Sequence, residues 1–336
     1  EFGFELGMFR NRVSIEATYF SQENTDQIIP ISVSNATGYT SSTVNAASFT
    51  NKGFEFDLKL TPLLKLGKVN LDFRGNATYN TNKVNSVYEG LDELAVAGYA
   101  DAANYIITGY PAYVWKATDW QRDDQGRVIV NNLTGDPTPN TTPQIFGRTM
   151  PLWVVGLNPS VNYKSFTFSV LGEFKTGHFA YNQMGDDMAW TGVSIATATN
   201  QRERFVFPNS VYEDPGNPGK YIENTDITIS NVNDFYTGNY RKVGTNYLTS
   251  AAAWRIREAS ISYDLPSKIF GQGKSVKGIS LSLTGRNLFL WVPKSNVYSD
   301  PDFSDFNTFG GNSSGIGNSQ INPAVRTFGG SVVVKF

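Results

Sequence analysis

The sequence predicts an all-β fold, an antiparallel transmembrane β-barrel or a large part of one. Three observations carry that prediction: several segments alternate apolar and polar residues with period two, the connections alternate between short and long, and 14% of the residues are aromatic. Successive side chains of a strand point to opposite faces, so alternation marks a strand with one apolar face. The clearest case is Asn70 to Asn80. Leu71, Phe73, Gly75, Ala77 and Tyr79 fall on one side; Asn70, Asp72, Arg74, Asn76, Thr78 and Asn80 fall on the other.

The same pattern recurs along the chain. Phe54, Phe56, Leu58 and Leu60 oppose Gly53, Glu55, Asp57 and Lys59, and Val13, Ile15, Ala17 and Tyr19 oppose Ser14, Glu16, Thr18 and Phe20. Trp153, Val155, Leu157, Val161 and Tyr163 share a face, and Phe166, Phe168, Val170 and Phe174 follow a tight connection at Lys164 and Ser165. Ala259, Ile261, Tyr263 and Leu265 oppose Glu258, Ser260, Ser262 and Asp264, and Ile279, Leu281 and Leu283 oppose Ser280, Ser282 and Thr284. About nine strands result, near residues 2–9, 13–29, 52–60, 68–80, 152–163, 165–177, 252–265, 278–291 and 325–336.

The connections add direction. They run short at 10–12, long at 30–51, short at 61–67, long at 81–151, short at 164, long at 178–251, medium at 266–277 and long at 292–324. An up-and-down outer-membrane barrel sorts its loops in this way, with tight periplasmic turns and extended extracellular loops. A Greek-key sandwich has no reason to. The last strand then runs inward and puts Phe336 at the periplasmic end. Nine strands do not close a bacterial single-chain barrel, and an open edge in lipid leaves backbone groups unsatisfied at several kcal/mol each. More strands are therefore expected than this segment holds. The absence of a starting methionine and of a signal peptide fits a chain that begins inside a fold.

Composition narrows the functions. Lys+Arg number 28 against 30 Asp+Glu, without the clustered basic surface that phosphate backbones require, so no nucleic-acid partner is expected. No Lys/Arg-rich run suggests an anionic-lipid patch. With no cysteine there is no disulfide, thiolate metal site or Cys nucleophile. His178 is the single histidine; it is expected to be a loop residue without a catalytic role, and no cofactor is implied. No apolar stretch approaches the ~20 residues of a membrane-spanning helix. The mean hydropathy of -0.30 says little about a barrel, where lipid-facing and lumenal residues cancel in the average.

An ordered set of short motifs resembles the SusC/RagA family of TonB-dependent outer-membrane transporters. Asn51-Lys52-Gly53-Phe54-Glu55 is similar to that family's Asn-x-Gly-x-Glu at a strand start. Ile106 to Gly126, with Gly109-Tyr110-Pro111 and Asp124-Gln125-Gly126, resembles its loop containing Gly-x-Pro and Asp-x-Gly. Pro151-Leu152-Trp153 through Tyr163-Lys164-Ser165-Phe166 resembles a hairpin, and Arg257 to Pro266 resembles its Lys-Glu-x-x-Leu-Ser-Tyr-x-Leu-Pro segment. Gly285 to Phe289, Ser299 to Asp302, and Pro323 to Gly329 resemble the closing series.

The resemblance implies that residues 1–336 are the C-terminal part of a roughly 22-stranded barrel, without the plug domain and the N-terminal strands. It also implies import of glycan oligomers or peptides without covalent chemistry. The implied partners are the remaining strands and plug (in the same or another chain), a SusD-like surface lipoprotein, TonB acting through the plug, the barrel-assembly machinery and membrane lipid.

Candidate functional residues follow from both readings. Glu55, Asp57, Asp72 and Arg74 would line the lumen, meeting solute, plug or water. Trp115, Asp119, Trp120, Tyr181 and Trp190 lie in long loops, where aromatic faces contact a sugar or peptide, pack loop on loop, or meet a lid protein. Asp300, Asp302 and Asp305, and likewise Asp119, Asp123 and Asp124, offer hard oxygens at short spacing for Ca²⁺, or form solvated turns. Val332, Val334 and Phe336 resemble an assembly signal, with Ser331 where a glycine is usual; alternatively the strand simply ends in Phe. Tyr79, Trp153, Tyr163, Tyr263 and Trp291 are expected to mark the two membrane interfaces. Short helices are expected in Gly90–Tyr105, which is rich in Ala and Leu, and around Met184–Trp190. The rival readings are a scaffold barrel without transport, an outer-membrane hydrolase working near His178, and a soluble β-sandwich adhesin.

Overall fold

A computed structural model describes residues 1–32, 34–88, 90–266, 269, 275–302, 315–317, 322 and 324–336. Nine strands form one antiparallel sheet in strict chain order. They are β1 (Phe2–Met8), β2 (Val13–Asn24), β3 (Ser48–Leu66), β4 (Val69–Ser86), β5 (Trp153–Tyr163), β6 (Phe166–Thr176), β7 (Ala253–Asp264), β8 (Gly278–Trp291) and β9 (Thr327–Lys335). Each pairs with the next, so the topology is up-and-down throughout. Among the described residues both edges are open: β1 pairs only with β2, and β9 only with β8.

The register fixes the two faces, because directly opposed residues share a face. One row runs Phe2, Tyr19, Phe54, Tyr79, Trp153 across five strands. Its rings touch, with Tyr19 5.0 Å from Phe54 and Tyr79 4.9 Å from Trp153. The row continues at the same end through Phe174, stacked 4.5 Å from Trp254, which pairs with Trp291. A second row, Tyr163, Phe166, Tyr263, lies at the other end. Trp153 and Tyr163 bound the same strand. Ten residues at about 3.3 Å each, tilted by about 40°, span roughly 25 Å, the height of an outer-membrane apolar band. Between the rows the outward positions are Val155, Leu157, Phe168, Ile261 and Leu283 and their register partners. The expected interface aromatics thus form two girdles.

The tight ends match the expected parity. β1 turns into β2 through Phe9, Arg10 and Asn11, all at positive φ. β3 meets β4 at Gly67 and Lys68, with Gly67 at φ +57°, a conformation that a residue with a Cβ adopts only under strain. The expected seven-residue connection at 61–67 is shorter because β3 continues to Leu66.

The long connections are not open loops. Residues 93–148 fold into a four-stranded sheet of Glu93–Gly98, Ala102–Ile107, Val114–Trp120 and Pro139–Arg148. A three-stranded sheet ties loops together: Phe179–Asn182 pairs with Leu248–Ser250 and with Ile316–Gly317. A third sheet joins Val128–Ile129 to Ser210–Glu213 and Tyr221–Glu223. One helix, α1 (Gln183–Trp190), falls where Met184–Trp190 is expected to be helical. The helix expected in Gly90–Tyr105 is instead a hairpin. Alanine favours helices only weakly, and here alternate burial of Ala102, Asn104 and Ile106 decides for strand.

Candidate functional site: a polar wall beneath a folded loop layer

Glu55, Asp57, Asp72 and Arg74 all lie on the sheet face opposite the girdles, since each alternates with the lipid-facing Phe54, Phe56, Leu71 and Phe73. One lumenal row reads Glu5, Glu16, Asp57, Asn76, Gly156, Glu173, Arg255 across seven strands. Nearer the periplasm, Asn162 Nδ2 donates to Asp72 at 2.8 Å and Thr167 Oγ1 donates to Asn162 Oδ1 at 2.9 Å. Asp57, Arg74, Asn76, Asn158, Ser169 and Glu258 line one concavity in this wall. A side chain at Gly53 would run into the Tyr79 backbone carbonyl oxygen and the Phe20 ring, which explains why the Asn-Lys-Gly-Phe-Glu segment carries glycine there.

At the outer end of the wall the sequence places an extra residue. The register of β7 shifts between Ile256 and Glu258, a bulge that re-aims neighbouring side chains. Arg255, Arg257 and Glu258 all make inward contacts as a result. Arg257 Nη2 donates to Glu173 Oε1 at 2.5 Å and also to Asp302. Arg255, 4% exposed, donates from Nη1 to Asp300 Oδ1 at 2.5 Å and sits 3.3 Å from Asp302 Oδ1. Lys175 Nζ donates to Asp302 Oδ1 at 3.1 Å. Three cations thus face three anions, and the connection after β8 is clamped onto the wall. Burial alone would raise the Asp302 carboxyl, but the Arg257 hydrogen bond and the charges of Arg255 and Lys175 outweigh it and hold the group below the usual carboxylate range.

This pairing corrects the calcium expectation. Asp300 and Asp302 are spent on guanidinium and ammonium groups, and Asp305 lies outside the described residues. Asp123 accepts from Arg127 Nε at 2.8 Å, and Asp119 accepts from Arg122 Nε at 3.1 Å and Thr245 Oγ1 at 2.8 Å. Among the described residues no group of three or more metal-ligating side chains exists. His178 sits beside the clamp, buried, with its backbone carbonyl accepting from Ala251 N at 2.9 Å. Burial, then the positive charge of Lys175, pushes its imidazole down to about 4. It is neutral at pH 7.

For three of the loop aromatics the loop layer takes the packing alternative. Trp115 is 0% exposed, donates from Nε1 to the Phe179 carbonyl at 3.0 Å and packs 5.9 Å from Tyr181. Tyr181, also fully buried, donates its hydroxyl to Asp101 Oδ2 at 2.6 Å. Trp120 is enclosed by Phe207 at 5.5 Å and Phe235 at 6.2 Å. These three rings pack loop on loop, and Trp120 with Asp119 also lines a concavity at the edge of the layer. Of the candidates only Trp190 is open, at 58%, with the Arg241 guanidinium 5.6 Å from its ring. Arg241 is itself oriented by Asp186, which accepts from Nε at 2.7 Å and Nη2 at 2.9 Å. Val332 and Val334 pair with Leu281 and Ile279 on the lipid-facing side of the β9 edge, and Phe336 beyond them is exposed.

No protein-family profile matches the chain. TonB-dependent receptor P26 of Formosa agariphila is 24% identical over 359 residues, covering 98% of this chain and 33% of its own length. TonB-dependent receptor P3 of the same organism is 21% identical over 364 residues, covering 100% and 34%. The solved RagAB peptide transporter superimposes with a TM-score of 0.71 at 16% identity, over 99% of this chain and 34% of its own. The chain is similar in sequence to part of these TonB-dependent receptors and shares the outer-membrane β-barrel fold of the RagAB transporter. A RagAB peptide importer in an open-open state gives the same fold, with a TM-score of 0.69 at 17% identity. The chain spans about a third of the length of the curated relatives it matches.

Proposed function

We propose that this segment supplies the lumenal wall and part of the outer cap of a TonB-dependent importer of glycan oligomers or peptides. The supporting observation is the sheet itself: nine strands with a largely polar inner face, open at both edges among the described residues, crowned by a folded loop layer. Unpaired edges in lipid cost several kcal/mol per backbone group, so further strands close the barrel, and a plug fills its lumen. TonB engages that plug and draws it aside. A SusD-like lipoprotein closes over the loop layer and hands down the solute, which then meets Glu55, Asp57, Asp72 and Arg74. Val332, Val334 and Phe336, at the exposed β9 edge, serve as the signal for barrel assembly.

The test is uptake. Cells lacking the full-length gene should lose growth-linked uptake of a labelled oligosaccharide or oligopeptide pool, and the tagged protein should co-purify with a surface lipoprotein. Normal uptake of both pools in the deletion strain, with the lipoprotein complex intact in the wild type, would leave a scaffold role instead.

A further inference from the structure

The chain contains no basic run, yet sheet pairing builds a basic site at one membrane interface. On β3, Phe54 belongs to the outer girdle; Lys52 is the next residue on the same lipid-facing side, paired with Ser21 of β2 and Thr81 of β4. On β4, Tyr79 belongs to the girdle; Lys83 is two steps further out on the same side, paired with Thr50. At about 3.3 Å per residue and a tilt of about 40°, the two Cα atoms stand roughly 5 and 10 Å above the ring row. That is the depth of the outer-leaflet headgroups, and the long stems let both ammonium groups reach one level.

Both lysines are exposed, and neither has an ion-pair or hydrogen-bond partner among the described residues. Hydroxyl and amide groups share the patch: Ser21 and Thr81 flank Lys52, and Asn85 Nδ2 donates to Thr50 Oγ1 at 2.9 Å beside Lys83. The one acid in these rows, Glu23, pairs with Thr50 of β3 and so lies diagonal to Lys52 on the same face without forming an ion pair with it, while the width of β3 separates it from Lys83. Two free cations, hydroxyl donors and an aromatic floor formed by Tyr19, Phe54 and Tyr79 make an amphipathic cradle. Its cationic upper part suits phosphate, and its rings suit the first acyl carbons.

We propose that Lys52 and Lys83 bind the phosphate of a phosphorylated glycolipid of the outer leaflet, seated on the Tyr19–Phe54–Tyr79 girdle. The test uses full-length protein, delipidated in detergent and titrated with lipid A under native mass spectrometry. Wild type should take up one lipid A more tightly than the rest. The double variant Lys52→Gln/Lys83→Gln should bind it about 30-fold more weakly at low salt, at roughly a kcal/mol for each lysine. Lys164→Gln, at the opposite interface, should bind like wild type, and all three should keep the heat-modifiable mobility of a folded barrel. Dephosphorylated lipid A should bind wild type as weakly as lipid A binds the double variant, and excess inorganic phosphate should displace lipid A only slightly. Equal lipid A binding by wild type and the double variant would overturn the assignment. So would an equal loss in Lys164→Gln, phosphate-independent binding, or full displacement by inorganic phosphate.

Discussion

The barrel wall and the loop layer are built on opposite principles. In the wall, side chains face lipid or lumen alternately, and strand order is held by ladder hydrogen bonds. In the loop layer, three apolar clusters are fully enclosed, around Trp115 and Tyr247, around Trp120 and Phe235, and around Val84 and Ile106. Of their buried members only Val84 belongs to one of the nine sheet strands, and it lies beyond the girdle. Among the described residues, the part in the membrane therefore has no core, and the part in water has three. What reads as loop in an outer-membrane barrel can be the portion that folds like a soluble domain.

That contrast predicts where mutations bite. Trp115→Ala empties a fully buried site and should cost about 3–5 kcal/mol of loop-layer stability. Proteolysis should then cut within residues 93–148 while the heat-modifiable band of the barrel persists; loss of both together would merge the two regions. Arg255→Met removes the centre of the ion clamp. A buried pair broken on one side loses about 3–5 kcal/mol. The low end is expected here, since Lys175 and Arg257 stay beside Asp302, and hydrogen exchange should rise in residues 295–302.

In the wall, neighbouring residues should behave oppositely. Leu58 faces lipid in the row of Gly75 and Leu157, near mid-membrane, and Leu58→Arg should lower barrel stability by about 2–3 kcal/mol. Asp57→Arg, one residue away on the lumenal face, should change stability little while altering solute passage. Urea titrations in detergent would separate them.

The smallest effect is set by pH. Because the folded His178 imidazole titrates near 4 and an unfolded one near 6.5, the stability it contributes is complete above pH 6.5 and declines as pH falls toward 4. At pH 4.5 local opening around residue 178 should be about 50–100-fold more frequent than at pH 7. His178→Gln should remove that increment. Asp101, raised by burial despite the Tyr181 hydrogen bond, works in the other direction, so the difference between the two proteins is the readout.

The wall was legible in the sequence because its physics is local. Lipid on one side and water on the other impose period two, and the positions of Tyr79, Trp153, Tyr163 and Tyr263 follow from strand length alone. β3 runs longer than alternation suggests at both ends, Ser48–Leu66, and β4 at its outer end, Val69–Ser86, where Val84 is buried against the loop layer. The loop layer was not legible, since its contacts join distant segments. Asp302 meets Lys175 across 127 residues and Thr118 donates to the Lys242 carbonyl across 124. A run of carboxylates at 300 and 302 looks the same in sequence whether cations or a metal await it. Likewise Lys52 and Lys83 become neighbours only through the β3–β4 register.

The most direct test of the wall is a cysteine scan of β4 from Val69 to Asn80, in a segment that has no cysteine of its own. Full-length protein in intact outer membranes would be probed with a membrane-impermeant maleimide and a lipid-soluble one. Positions 70, 72, 74, 76 and 78 should react from water, and 71, 73, 75, 77 and 79 only from the lipid phase. Uniform labelling along the strand, or alternation with the two sets exchanged, would contradict the assignment of faces on which the lumen, the girdles and the lipid site all depend.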